Sequence, residues 1–324
     1  MRSDIDAIEG NAALYDATNF ISRADAIDFL EFHVIDRIEG MLQKVEPQEK
    51  LQLLQQRAEK VKQRLEKIDI DLFEQLRENI RTGAYRDSSF REMVGKYLGS
   101  GFWPGSPTSL ASPVSDIGQP NAPDNSGYDN LDILINGLLS GQPMPEATKE
   151  RTPEMVFYQK TPVRVVFELT EMAQLQKDDV FIDIGSGLGQ AAILVNLISG
   201  ARARGIEYEP AYCDYAKTCA SQLNLSNVEF INSNALNGDY AEGTVFFLYT
   251  PFEGRLLRDM LEILYKESQK RMIRVFTYGP CSPQVALQHW LHCVNGGADN
   301  FYRLYQFATR PITNPRRQPD RIFE

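Results

Sequence analysis

Apolar residues recur at three- and four-residue steps along the N-terminal third of the chain. One series is Ile27, Leu30, Val34, Ile38 and Met41; a longer one is Leu54, Ala58, Val61, Leu65, Ile68, Leu72, Leu76 and Ile80. This spacing puts the apolar groups on one helical stripe and leaves Gln, Lys and Glu on a solvated face. The seam drifts from a strict heptad, which favours a small helical bundle over a coiled-coil partner surface. Residues 1–103 therefore read as an all-α N-terminal domain. The pattern then breaks. Thirteen of the 24 residues in 104–127 are Pro, Gly or Ser, and none is Lys or Arg, as expected of a linker or loop. Helical spacing returns at Leu131, Leu134, Ile135, Leu138 and Leu139, with Gly141 and Pro143 as stop signals. The domain from 128 to 324 begins there.

From Asp178 the period alternates between strand and helix. Val180–Ile184, Ala203–Tyr208, Val228–Asn232, Thr244–Tyr249, Arg274–Tyr278 and Tyr302–Thr309 read as strands. Gln190–Ser199, the segment from Pro210 to about Leu223, and Arg255–Glu267 read as helices between them. Such alternation predicts an α/β doubly wound sheet. His289 and His292 flank Trp290 on a segment that reads as a further helix. No carboxylate partner points to a metal there, and no metal is expected elsewhere.

Composition narrows the function. Net charge is -10, which disfavours a protein that coats nucleic acid and is compatible with a small molecule or a basic protein partner. Cys213, Cys219, Cys281 and Cys293 form no C-x-x-C pair. The N-terminus lacks the apolar run of a signal peptide, and no apolar stretch is long enough for a bilayer. The expected location is cytoplasmic, with no membrane partner.

The chemistry concentrates in VFIDIGSGLGQ, Val180 to Gln190. A buried strand runs into Gly185, Gly187 and Gly189, and a helix follows. Glycine there lets a ligand approach the backbone and permits dihedrals that other residues avoid. Asp183 sits inside the strand. The nicotinamide fingerprint would place a third glycine where this chain has Gln190. In GIEYEP, Glu207 closes the next strand, where a carboxylate can accept from both ribose hydroxyls. The pairing favours S-adenosylmethionine over NAD; a glycine turn with no ligand is the bland alternative. Asn234-Ala235 follows the third strand, where an Asn oxygen could accept from an adenine amine or simply cap a turn.

The combination of Tyr158-x-x-Thr161, a helix, DIGSGLGQ with Gln190, and GIE resembles the core of the non-SET histone lysine methyltransferases of the disruptor-of-telomeric-silencing type. The resemblance implies a class I methyltransferase with a Rossmann-like seven-stranded sheet, helices on both faces, and S-adenosyl-L-methionine as cofactor. It also implies that Tyr158, Thr161, Asp183, Gly185, Gly187, Gln190 and Glu207 surround that cofactor; Ser186 in the glycine loop and Asn234-Ala235, at the adenine position of class I methyltransferases, complete the candidate set. Where that family carries Asn-Asn after the fourth strand, this chain reads Tyr249-Thr250-Pro251-Phe252. These four are the candidate catalytic residues. Tyr249 could orient an amine, Thr250 and the Pro251 backbone could hold it, and Phe252 could stack on it. Tyr249 and Phe252 could equally just pack the sheet edge. Tyr278 is a lesser candidate. The expected acceptor is an amine on a protein side chain. A small-molecule acceptor under a helical lid, or a non-catalytic cofactor-binding regulator, are the alternatives, with a homodimer possible through the N-terminal helices.

Overall fold

The computed structural model describes residues 1–44, 49–98, 130–139 and 143–310. The Pro/Ser/Gly-rich stretch 104–127 lies outside the described residues, as do Arg316, Arg317 and Arg321. Two compact units emerge. One comprises the described residues of Met1–Pro143 with Pro162–Arg164 and Ser221–Leu225; the other comprises those of Met144–Thr161, Val165–Ala220 and Ser226–Glu324.

The first unit is helical. Helices α1 (Arg2–Glu9), α2 (Phe20–Asp28) and α3 (Asp36–Leu42) accompany the long α4 (Glu49–Arg81), followed by α5 (Ser88–Leu98) and α6 (Asn130–Leu139). The stripe predicted on α4 is buried: Ala58, Val61 and Leu65 join Ile5, Leu14, Leu30, Val34, Ile35 and Ile38 in one apolar cluster. A π-helical stretch, Phe29–Ile35, separates α2 from α3. Arg23 is wholly buried, so its charge needs partners. It donates to Asp69 Oδ1 at 2.7 Å and to the carbonyls of Leu14, Asp16 and Ala17 at 3.2, 2.7 and 3.2 Å.

The second unit carries the sheet. Helix α7 (Val163–Ala173) leads into β1 (Val180–Ile184), α8 (Gln190–Ser199), β2 (Arg202–Glu207), α9 (Pro210–Gln222), β3 (Val228–Asn232), β4 (Val245–Leu248), α10 (Gly254–Ser268), β5 (Arg274–Thr277), a short α11 (Ser282–Ala286), β6 (Leu291–Cys293) and β7 (Tyr305–Thr309). The strands form one seven-stranded sheet in the order β3-β2-β1-β4-β5-β7-β6. Strands β1 to β5 pair in parallel, while β7 runs antiparallel to β5 and β6. β1 and β4 are buried along their whole length, as central parallel strands require. Helix α10 covers the sheet with Leu257, Met260, Leu261 and Leu264. Full burial of such side chains contributes roughly 1.5–3 kcal/mol each.

One expected element is different. His289 and His292 are not on a helix. α11 stops at Ala286, His289 lies in a turn, and His292 belongs to β6. β6 exists because it pairs with β7, Leu291 opposite Thr309 and Cys293 opposite Phe307. Three residues are too few to show a period, and the pairing partner lies far along the chain. Chain order reverses between β1 and β4, so a ligand crevice is expected outside their carboxyl ends.

Candidate functional site

A cavity of about 330 Å³ opens at that point, within the range of small-molecule sites. The loop after β1 forms its base. Gly185 and Gly187 have φ of +80° and +53°, a region costly for residues with a Cβ. A Cβ on Gly185 would sit 2.4 Å from the Pro251 side chain, and one on Gly187 would sit 2.2 Å from the Tyr158 ring. The amides of Gly185 and Ser186 donate to the Ile206 carbonyl at 2.9 and 3.1 Å, fastening the loop to β2.

Glu207 ends β2 at the edge of this loop and is buried. Its Oε2 accepts the Gly187 N–H at 2.7 Å and its Oε1 accepts the Glu209 N–H at 2.7 Å. With the Tyr208 N–H also directed at it, the carboxylate still keeps lone-pair capacity for a ligand. Burial pushes the Glu207 carboxyl up, and the backbone bonds only partly offset this. Asp183, on β1, is 4% exposed. Burial, and then the nearby charge of Glu207, push its carboxyl up to about 8.

Gln190 opens α8. Its Nε2 donates to the Thr161 carbonyl at 2.8 Å, tying the 158–161 segment to the helix. Its Oε1, like Ser186 Oγ, is buried and has no hydrogen-bond partner. Buried polar atoms are ordinarily satisfied, so two orphans lining one cavity indicate a polar ligand. Asn234 lines the cavity, but its Oδ1 accepts the Leu236 N–H at 2.9 Å and caps the short helical turn Ala235–Asn237. Ile206, Ala235 and Leu236 give an apolar wall beside it.

The segment after β4 lies across the mouth. Thr250 has φ +39°, and its hydroxyl donates to the Tyr278 carbonyl and accepts the Cys281 N–H, both at 3.3 Å. The Pro251 carbonyl accepts the Val156 N–H at 3.1 Å, and the Glu253 N–H donates to the Glu154 carbonyl at 2.9 Å. Both polar groups expected to hold an acceptor therefore hold the loop. Phe252 lines the cavity yet packs into the sheet's apolar cluster. Tyr249 packs its ring 5.3 Å from that of Tyr278, and its hydroxyl donates to Gln159 Oε1 at 3.4 Å. Tyr278 itself is buried.

Of the fourteen residues singled out in the sequence, the cavity is lined by Tyr158, Thr161, Asp183, Gly185, Ser186, Gln190, Glu207, Asn234, Ala235, Tyr249, Thr250, Pro251 and Phe252. Gly187 sits behind, against Tyr158 and bonded to Glu207. Not foreseen were Gln159, the segment holding Ala147, Lys149 and Arg151, and Tyr208, Glu209 and Tyr212 on the α9 side. The one available signal was the second acid of GIEYEP, two positions past Glu207. Among the described residues, no cluster of His, Cys, Asp or Glu could hold a metal ion, and no helix is long and apolar enough to cross a membrane.

Comparison with known proteins adds a family resemblance over part of the chain. The family model described as "Histone methylation protein DOT1" matches residues 151–244. No curated protein sequence matches the chain. Among solved structures, similarity is found to an RNA methyltransferase from Salinibacter ruber in complex with S-adenosyl-L-homocysteine, at 24% identity over 51% of this chain and 100% of that one, TM-score 0.37. A precorrin-6y C5,15-methyltransferase from Geobacter metallireducens is 18% identical over 48% of this chain and 93% of that one, TM-score 0.36. A geranyl diphosphate C-methyltransferase from Streptomyces coelicolor is 20% identical over 36% of this chain and 43% of that one, TM-score 0.29. The matched family segment ends one residue before β4, so Tyr249–Phe252 falls outside it.

Proposed function

We propose that the chain carries the core of a class I methyltransferase that uses S-adenosylmethionine and resembles the DOT1 type, with an amine on a protein side chain as its acceptor. Adenosylmethionine fits the cavity's chemistry: two orphaned buried oxygens, a glycine cradle, and a carboxylate with spare lone pairs at the end of β2. Glu207 would take the ribose hydroxyls. Ile206, Ala235 and Leu236 would face the adenine. Ser186, Gln190 and Asp183 would meet the amino-acid end, with Tyr158 and Thr161 over it. When bound, this cofactor supplies a methyl group activated by its sulfonium centre.

The protein's part is then to bring a nucleophile into line and keep water out. Transfer to nitrogen needs an unprotonated amine. The mouth offers Tyr249, Phe252, Phe157 and Tyr158 and no carboxylate from the segment 249–252. Arg151, which lines the same cavity with its guanidinium over the Phe157 ring, brings a positive charge that disfavours an ammonium ion and lowers its pKa. Tyr249, whose hydroxyl donates to Gln159, would orient the amine, which gives its proton to solvent before transfer.

The observation that carries this reading is the family match over residues 151–244, which leads up to the aromatic residues Tyr249 and Phe252 at the mouth. The net charge of -10 suits a basic polypeptide. The test incubates the protein with tritiated adenosylmethionine and either core histones or a cell extract. Label recovered as methyllysine after hydrolysis is the expected result. Label confined to small molecules would overturn the protein acceptor. An absence of label, with adenosylhomocysteine binding measured by calorimetry, would leave a non-catalytic binder.

A further inference from the structure

A segment of the site is held by a carboxylate that the cofactor chemistry does not require. Residues 146–150 form an exposed strap with no helix or strand bonds, yet Ala147 and Lys149 line the cavity. An irregular exposed segment keeps one conformation only where specific contacts over-determine it. Here the contacts converge on Glu209. Thr148 Oγ1 donates to its Oε1 at 2.6 Å and the Lys149 N–H donates to its Oε2 at 2.8 Å. The Ala211 N–H, from the first turn of α9, donates to Oε1 at 3.0 Å. Glu209 thus joins the strap to a helix some sixty positions along the chain.

A second contact lies alongside. Lys149 Nζ donates to the Tyr208 carbonyl at 3.2 Å and lies 4.6 Å from the centre of the Tyr208 ring. Tyr208, Glu209 and Tyr212 line the same cavity as Glu207. The strap is therefore fixed at the rim where Glu207 would hold the ribose.

Glu209 is 6% exposed and lies two residues from another buried acid. Burial by itself would raise its carboxyl. The Thr148 hydroxyl and the N–H groups of Lys149, Ala211 and Thr148 outweigh that and hold it at about 2. The clamp is thus ionised and fully bonded at any working pH. Bonds to a charged acceptor are the stronger kind.

We infer that Glu209 is a positioning residue for the cofactor: by clamping Thr148 and Lys149 it keeps the strap across the adenosine end of the cavity and slows cofactor release. The inference rests on the reading that the cavity binds adenosylmethionine, and its test keeps the two apart.

Two variants are needed. T148V removes one hydroxyl from an exposed residue and leaves the acid and its backbone bonds in place. E209Q keeps the side chain's size but turns one acceptor oxygen into a donor facing an N–H. The whole chain of 324 residues is loaded with adenosylhomocysteine, and its release is followed by stopped-flow displacement, with melting of the cofactor-free protein as a control. Both variants should release the ligand about tenfold faster or more, with association changed little. The double variant should be no faster than E209Q alone, because both changes remove the same bond. Trypsin should also cleave after Lys149 and Arg151 sooner in the loaded variants than in the loaded wild type. A role in folding alone would lower the melting temperature without changing release. Wild-type release rates in T148V would overturn the clamp, and this holds even if E209Q fails to fold. A wild-type protein that binds no adenosylhomocysteine would overturn the cofactor reading itself.

Discussion

Gly187→Ala tests the cradle at its tightest point. The new Cβ would lie 2.2 Å from Tyr158 Cε2 and 2.6 Å from Cδ2. Ordinary carbon contacts need about 3.5–4.0 Å, so ring and loop must separate by roughly 1.5 Å. Alanine at φ +53° adds about 1 kcal/mol of backbone strain. The ring has two ways to go. Moving inward takes it into the cavity. Moving outward gives up its packing on Tyr212, at 5.3 Å between centroids, worth about 0.5–1.5 kcal/mol. The sum is about 2 kcal/mol, and the expected weakening of adenosylhomocysteine binding is about thirtyfold. Calorimetry measures it directly. The same substitution in a Tyr158→Ala background removes the clash and should leave only the backbone part, about fivefold. An unchanged Kd in the single variant, or an equal penalty in both backgrounds, would refute the argument that Tyr158 closes on this glycine.

Further expectations follow from buried charge. Asp183 has a folded pKa of about 8, above its unfolded value of about 3.9. The raised value means that its contribution to stability is complete below pH about 4 and lost as pH rises through about 8. Asp183→Asn should flatten the fall in melting temperature across that window; an unchanged slope would remove Asp183 as its source. The same ionisation should make binding of cationic adenosylmethionine tighten with pH through about 8 more than binding of neutral adenosylhomocysteine does, and parallel pH profiles for the two ligands would contradict it. In the helical unit, Arg23→Ala strands Asp69 and three carbonyls, and should cost about 3–5 kcal/mol in denaturant unfolding; a loss below about 1 kcal/mol would show that the pair is replaceable.

The centre of the sheet is readable because β1 and β4 are short, mostly apolar runs buried throughout. Val180–Ile184 is buried on both faces and ends in glycines, and no other element gives that pattern. The glycine loop and Glu207 were readable because backbone geometry dictates residue type there. What escaped notice depends on contacts distant in sequence. β6 is defined by β7, and its three residues carry no period. The role of Glu209 is set by residues 148 and 149, and nothing near Glu209 in sequence announces them. Asn234 and Thr250 illustrate a different limit. Asn234 reads as an adenine contact or a turn cap and Thr250 as an acceptor contact; the Asn234 oxygen takes an N–H of its own turn, and the Thr250 hydroxyl is engaged by backbone groups after β5. A short polar side chain at a loop does either job equally well, and only the coordinates show which.

The join between the two halves of the mouth has an evolutionary consequence. The segment before Tyr158 meets the segment after β4 through bonds from Val156 to Pro251 and from Glu253 to Glu154, all between backbone atoms. Peptide groups are the same whatever side chains they carry. A substitution at Tyr249 would lose its bond to Gln159 yet leave these backbone bonds in place, and the matched family segment stops at residue 244 while the sheet continues through it. A lineage with such a seam can change what it methylates while inheriting how it binds the methyl donor.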